Sequence, residues 1–355
     1  MSMSSTARSI IATVLGLAVA ASASCAPPAP RTARGESMER SDLVLGTVCT
    51  LRLLDGGSEA ALDAAFARLR EIEDRMSANK AGTTVAAVNA AAGSGPVKVP
   101  ADVLFVLGKA LSYWSLSGGA FDPTIGPVVK LWNIGMDGER IPSVSELQAA
   151  LPLVGAGSVR IDGAASTVYL PRAGMLLDLG AIAKGYAADE VGRILLERGV
   201  KAAVIDLGGN IMVLGKKADG TPWRVGVQDP SDDRGSYIGI AELPGGTTVV
   251  TSGIYERYFV GEDGVHYHHI LDPATGYPVR NGLVSVTVIA ESSIDADGLS
   301  TTLFALGLER GMALAESLPG VEAIFIDAEN RVYASEGAGS IFRLSDGAYT
   351  MATLP

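Results

Sequence analysis

The three histidines of this 355-residue chain, His266, His268 and His269, all stand within four positions, in the stretch "GVHYHHILDPATGYPV" at residues 264–279. Imidazole is the side chain whose ordinary pKa lies nearest neutrality, so a neutral histidine at a strand end beside a glycine turn suits a general base. On a strand, His266 and His268 share one face and His269 takes the other. A zinc site would need the same-face pair and a third soft or nitrogen ligand, and the chain has no further histidine and no free cysteine beyond Cys49. The stretch therefore reads as a polar hairpin for His266 and His268, following the turn "GEDG". His269, which leads into "ILDPATGYP", reads as the base.

Two further segments carry oxygen and charge. In "DADGLSTTLFALG", Asp297 and Thr301 lie four apart at a helix start, so their oxygens share one face. A carboxylate with a hydroxyl is hard-ligand chemistry, suited to Mg²⁺. The alternative is a helix cap, with Asp295 or Asp297 accepting backbone N–H bonds. In "LDLGAIAKGYAADEV", Asp178 ends a strand and Lys184 follows on the first helical turn. A helix N-terminus bearing a lysine attracts phosphate. The P-loop spacing is absent, and "DLGGN" lacks the full dinucleotide fingerprint.

These residues need elements to hold them. The folded part is expected from about Asp42, with "LVLGTVCTLRLL" as a strand. Leu62, Phe66, Leu69, Ile72 and Met76 recur at helical spacing over 58–76. A second helix is expected over 101–117, and "FDPTIGPVVKLWNIG" holds too many Pro and Gly for a simple element. A strand pair near 158–170 precedes the Lys184 helix. "KAAVIDLGGNIMVLG" reads as strand, glycine turn and strand. Strands recur near 223, 237, 247, 256, 267 and 284. Helices follow from the "DADG" segment and over 309–317, and "EAIFIDAENRVYAS" reads as a closing hairpin. Mixed, non-alternating order with many hairpins implies an α+β fold with largely antiparallel sheets.

Composition bounds the partners. The net charge of −11 argues against nucleic acid, which needs a basic surface, and 48 % hydrophobic residues allow a large core. Residues 1–24 read as a signal peptide, since Arg8 precedes the apolar run "IIATVLGLAVAASAS". It ends either at an ordinary small-residue cleavage site, "ASA", or at a lipid-bearing Cys25 that would anchor the protein to a membrane. The second is preferred because Cys25 follows the run directly, although Ser22 is unusual three places before it. Residues 25–41 form a flexible tether, and 42–355 one domain. Cys49, in an apolar strand, reads as a buried free thiol.

Nine segments in order, "LGTVCTLRL", "GGAFDPTIGPVVKLW", "LDLGAIAKGYAAD", "VIDLGGNIMVLG", "WRVGVQDP", "TSGIYERYF", "HHILDPATGYPV", "LVSVTVIA" and "DADGLSTTLFALG", resemble the ApbE family of FAD:protein FMN transferases over roughly residues 43–350. The resemblance implies a periplasmic enzyme, often a lipoprotein, with an α+β core like the tunnelling fold. It implies that FAD is split, that FMN passes to a Ser or Thr hydroxyl of an acceptor such as a membrane redox-pump subunit, and that AMP is released. By resemblance His269 is the catalytic histidine, and Asp297, Thr301 and the carbonyl of Ala181 are the Mg²⁺ ligands. Leu45, Ala120, Phe121, Asp122, Asp178, Lys184 and Leu271 match the flavin-nucleotide contacts. Phe121 and Trp132 either cover the flavin ring or belong to the core. Two positions depart from the family pattern. Ser300 stands where a second Asp is frequent, which lowers the charge of the metal site. Asn79 stands where an aromatic residue is frequent near the nucleotide, which opens the site to water and favours an alternative, hydrolysis of FAD to FMN and AMP. A further alternative is a non-catalytic flavin-binding lipoprotein.

Overall fold

The computed structural model describes residues 37–232 and 235–354. The signal segment, Cys25 and the first part of the tether lie outside the described residues. Among the described residues no helix is long and apolar enough to cross a membrane.

Nine strands form the main sheet: β1 Met38–Val44, β2 Thr47–Asp55, β3 Ala202–Leu207, β4 Asn210–Gly215, β5 Thr247–Gly253, β6 Leu283–Ala290, β7 Glu322–Asp327, β8 Arg331–Ala334 and β9 Thr350–Met351. Their order in space is their order along the chain. Neighbours are antiparallel throughout, except that β9 joins β8 in parallel. The expected α+β class with antiparallel pairing is therefore the observed one.

Four helices cover one face of this sheet: α1 Glu59–Met76, α2 Ala101–Leu116, α3 Ala183–Glu197 and α4 Ser293–Leu306. Phe66 and Leu69 of α1, Ala187 of α3, and Leu299 and Phe304 of α4 share one core with Leu51, Ile205, Val288 and Phe325 of the sheet. The opposite face carries a small sheet of Trp223–Gln228, Tyr237–Leu243 and Phe342–Leu344. Trp223, Val225 and Ile238 pack there against Val249, Ile289, Ile324 and Ile326. Successive side chains on a strand point to opposite faces, so β6 and β7 must be apolar at nearly every position. Each large side chain buried this way contributes roughly 1.5–3 kcal/mol.

Several local expectations need correction. The stretch "LVLGTVCTLRLL" is a hairpin, turning at Leu45 and Gly46. The fold begins at Met38, earlier than the expected Asp42. The polar run 38–42 reads as tether, yet it forms an edge strand whose Arg40 pairs with Glu59 and Asp63 of α1. "FDPTIGPVVKLWNIG" does contain a helix, Gly126–Trp132. Pro127 falls in its first turn, where a missing N–H is harmless, and left-handed Asn133 ends it. Asp178 does not end a strand, for around it only Leu176 makes an isolated bridge, to Ile125. The hairpin of β7 and β8 does not close the chain, because Phe342–Leu344 and β9 follow.

Candidate functional site

Tight turns gather at one end of the main sheet. Leu45 and Gly46 connect β1 to β2 with φ of 57° and 70°, both left-handed, which is the two-residue turn that matches strand twist. For leucine this backbone costs roughly 1–2 kcal/mol. It is pinned by the Leu45 N–H, which donates to Glu73 Oε1 at 2.8 Å. Cys49 lies opposite Leu207, so the Gly208–Gly209 turn falls at the same end. A β-carbon on Gly208 would sit 2.2 Å from Thr47 Oγ1, and the close approach therefore requires glycine. Behind the turns Cys49 is fully buried, and burial pushes its thiol pKa up to about 12, the inert thiol expected.

Next to these turns α3 and α4 cross so closely that a β-carbon on Gly185 would meet Ser293 O at 2.2 Å and Asp297 Cβ at 2.6 Å. The crossing is held by two carboxylates, one from each helix. Asp297 Oδ2 accepts the Gly185 N–H at 2.8 Å. Asp189 of α3 accepts the N–H groups of Ser293 and Ile294 at 2.8 and 2.9 Å. Helix α3 begins at Ile182 without a side-chain cap of its own, and Asp297 supplies part of what is missing. Neither Asp295 nor Asp297 caps α4, contrary to the capping alternative. Ser292 does so, because the helix starts earlier than the "DADG" segment suggests. Asp295 instead pairs with Lys109 at 2.7 Å and accepts from the Tyr113 hydroxyl.

Asp297 is 4 % exposed, and among the described residues no Arg or Lys nitrogen is ion-paired with it. Burial pushes its carboxyl pKa up, opposed by the charge of Lys184 and the N–H groups of Gly185 and Lys184. Thr301 follows one turn later, half-buried, with Oγ1 3.1 Å from Ser252 Oγ. Among the described residues no three His, Cys, Asp or Glu cluster as a metal site. A cation here would take one carboxylate, a hydroxyl and the carbonyl of Ala181 in the turn before α3. A buried carboxylate with no ion pair among the described residues, one turn from a half-buried hydroxyl, fits a hard divalent ion.

The other residues divide between this place and its surroundings. Asp178 donates its N–H to Pro123 O and accepts the Gly180 N–H at Oδ1, each at 2.8 Å, which shapes the loop leading to Ala181. Lys184 is the second residue of α3, as expected. Ala120 is half-buried. Phe121 donates its N–H to Ser117 Oγ at 3.0 Å and packs edge-on to Tyr113, within the helical core. Asp122 already has both oxygens engaged: Oδ1 with the N–H and hydroxyl of Thr124, Oδ2 with the N–H of Ala156. Trp132 is fully buried, with Nε1 donating to Gly276 O at 2.7 Å. Leu271 belongs with Trp132 to a separate small cluster. Asn79 is exposed, and its Oδ1 accepts from Lys130 Nζ at 3.1 Å.

The histidines separate into three environments. His266 is exposed and stacks on Tyr258, with centroids 5.0 Å apart. His268 is buried, with Nε2 2.9 Å from Val279 O and Nδ1 accepting the Ile270 N–H. The polar-hairpin expectation is thus wrong for His268. Its strand ends there, so period-two alternation no longer decides which side chain turns inward. His269 Nδ1 lies 3.2 Å from Arg257 O. A carbonyl can only accept, so Nδ1 carries the proton and Nε2 presents the lone pair. The residue is half-buried. Burial first, then the charge of Arg257, pushes its pKa down to about 3. The charge of Lys184 lowers the pKa of Asp297 and, as the smallest of several causes, that of His269. Sequence reasoning missed Arg257, Asp189, Gly185 and Ser252. The segment "TSGIYERYF" holds Ser252 and Arg257, and "LDLGAIAKGYAAD" holds Gly185 and Asp189, but neither singles them out.

The ApbE family model matches residues 45–325. A protein of Treponema pallidum named FAD:protein FMN transferase is 41 % identical over 336 residues, covering 90 % of this chain and 92 % of that one. One of the same name from Klebsiella pneumoniae is 38 % identical over 309 residues, covering 87 % and 95 %. Among solved structures, the ApbE protein of Thermotoga maritima matches with a TM-score of 0.79 at 32 % identity, over 87 % of this chain and all of its own. The flavin transferase ApbE from Vibrio cholerae matches with a TM-score of 0.77 at 32 % identity, over 86 % and 99 %. The matched span runs from the strained Leu45 turn through His269 to Asp297 and Thr301 on α4. In sequence and in fold, this chain belongs to the ApbE family.

Proposed function

We propose that this chain is an enzyme that transfers FMN from FAD to a Ser or Thr hydroxyl of an acceptor protein and releases AMP. One observation carries the reading: Arg257 O holds Nδ1 of His269, which leaves Nε2 with its lone pair for the proton of an attacking hydroxyl. His269 Nε2 takes the proton of the acceptor hydroxyl. The oxygen attacks the phosphorus on the riboflavin side, and the pyrophosphate P–O bond breaks, with the bridging oxygen leaving on AMP. The backbone N–H groups at the start of α3, with Lys184, hold phosphate oxygens. Arg257 O fixes the tautomer and orientation of the base. Asp297, Thr301 and the Ala181 carbonyl would hold Mg²⁺, which when bound supplies neutralising charge to the pyrophosphate. Leu45, Phe121, Asp178 and Leu271 are read as neighbours of the nucleotide. The apolar run before Cys25 supports an extracytoplasmic, lipid-anchored location, where acceptors would be subunits of membrane redox pumps or similar flavoproteins.

The second reading, hydrolysis of FAD, has one supporting observation. Asn79 is small, polar and exposed, and leaves room for water. Incubation of the protein with FAD, Mg²⁺ and an acceptor fragment, followed by intact mass, decides between them. Transfer adds the mass of one FMN to the acceptor. Free FMN with an unmodified acceptor overturns transfer in favour of hydrolysis, and no AMP overturns both.

A further inference from the structure

Thr301 stands beside two hydroxyls whose proton count fixes their direction. Ser300 is wholly buried on α4, and its Oγ donates to Asp297 O at 2.9 Å. A hydroxyl has one proton and two lone pairs, so Ser300 has nothing left to donate. Ser252 Oγ, near the end of β5, lies 2.8 Å from Ser300 Oγ and 3.1 Å from Thr301 Oγ1. Ser252 must therefore donate to Ser300. Its own proton is then used, and the contact with Thr301 is made by the proton of Thr301. The series runs one way, from Thr301 to Ser252 to Ser300 to the carbonyl of Asp297.

We propose that Ser252 is a positioning residue that draws the Thr301 proton away and leaves both Thr301 lone pairs to a divalent cation. The inference rests on the reading that Asp297 and Thr301 hold that cation. A freely rotating hydroxyl would turn its proton toward the cation part of the time and bind it less well. Pairing opposite Val286 fixes the backbone of Ser252, and its two hydroxyl contacts, to Ser300 and Thr301, hold the side chain. Ser300 gains a role by the same argument. Where the family pattern frequently has a second carboxylate, this chain orients a neutral ligand instead of adding charge.

The test titrates the full-length protein with Mn²⁺ alone and reads free Mn²⁺ from its electron paramagnetic resonance signal, with melting temperature measured alongside. Asp297→Ala is expected to abolish binding. Ser252→Ala is expected to weaken it about 10-fold with an unchanged melting temperature, and Ser252→Thr to restore it. Ser300→Ala frees the Ser252 proton to turn onto Thr301 and is expected to weaken binding similarly. Unchanged Mn²⁺ affinity in Ser252→Ala, while Asp297→Ala loses it, overturns the hydroxyl series and leaves the metal site standing. A loss in Ser252→Ala that follows the melting temperature and is not rescued by Ser252→Thr also overturns it. Equal binding by wild type and Asp297→Ala, or binding by neither, overturns the cation site and the inference with it.

Discussion

The two faces of the main sheet are built on different terms. The face under the small sheet is apolar across its middle, where Val249, Ile289, Ile324 and Ile326 meet Trp223, Val225 and Ile238. Its polar residues are few: Asp229, bonded to Tyr349 at the margin, and Ser285 and Thr287 on β6, the latter with its hydroxyl 2.8 Å from that of Thr251. The helical face buries Asp297, Ser293, Ser300, Asn210 and Thr248, all less than 9 % exposed. One of their atoms, Asn210 Nδ2, has no hydrogen-bond partner at all. Burying polar groups costs stability unless they are satisfied, so the larger polar set gathered around Asp297 points to a task beyond packing.

That contrast is broken or sharpened by substitution on each side. Asp297→Ala should lower AMP release by about 10³-fold or more, with little net change of melting temperature, because loss of a buried charge offsets the stranded Gly185 N–H. Ile324→Ala on the other face should do the reverse. It should cost about 2–5 kcal/mol in denaturant unfolding and leave turnover per folded molecule unchanged. If Ile324→Ala alters turnover as much as Asp297→Ala does, the division between the faces is wrong.

Two adjacent residues repeat the contrast at smaller scale. His269→Ala should lower transfer by about 10²–10⁴-fold. His268→Ala should instead cost about 1–3 kcal/mol of stability, because it strands Val279 O and the Ile270 N–H. His266→Ala should change neither. Equal kinetic loss from all three would remove the tautomer argument for His269.

The pH dependence is smaller. A folded His269 with its pKa near 3 binds no proton where an unfolded one, near 6.5, does. Stability is then unaffected by this residue above about 6.5 and falls as pH drops from there toward 3. His269→Gln should flatten that slope in thermal melts. A slope unchanged in the variant would mean that the imidazole is not held neutral. Smallest is Leu45→Gly, which should relieve about 1 kcal/mol of left-handed backbone and leave the melting temperature level or slightly higher. The KM for FAD should rise if Leu45 touches the nucleotide, and an unchanged KM would remove it from the site.

What could be read in the chain followed from period and spacing. Leu62 to Met76 announced α1, and "DLGGN" announced a glycine turn between strands. The class followed from the order of such segments. The Leu45 turn was hidden because leucine is a poor signal for left-handed backbone, and Met38 to Asp42 because an edge strand with charged side chains looks like a linker. Among the candidate site residues, Asp297, Thr301, Lys184 and His269 stood out by type. Their partners did not stand out. Asp189, Gly185 and Ser252 act across tens of residues of chain, and no local pattern records which carbonyl Arg257 offers to a histidine twelve positions away.

The exchange of carboxylates between α3 and α4 has a consequence for motion. Lifting either helix strands N–H groups on the other, so the pair should open as a single unit, and its backbone amides should trade hydrogen for deuterium in step. Since Lys184 and Thr301 ride on these two helices, ordinary breathing of the protein would not shear one of these residues away from the other.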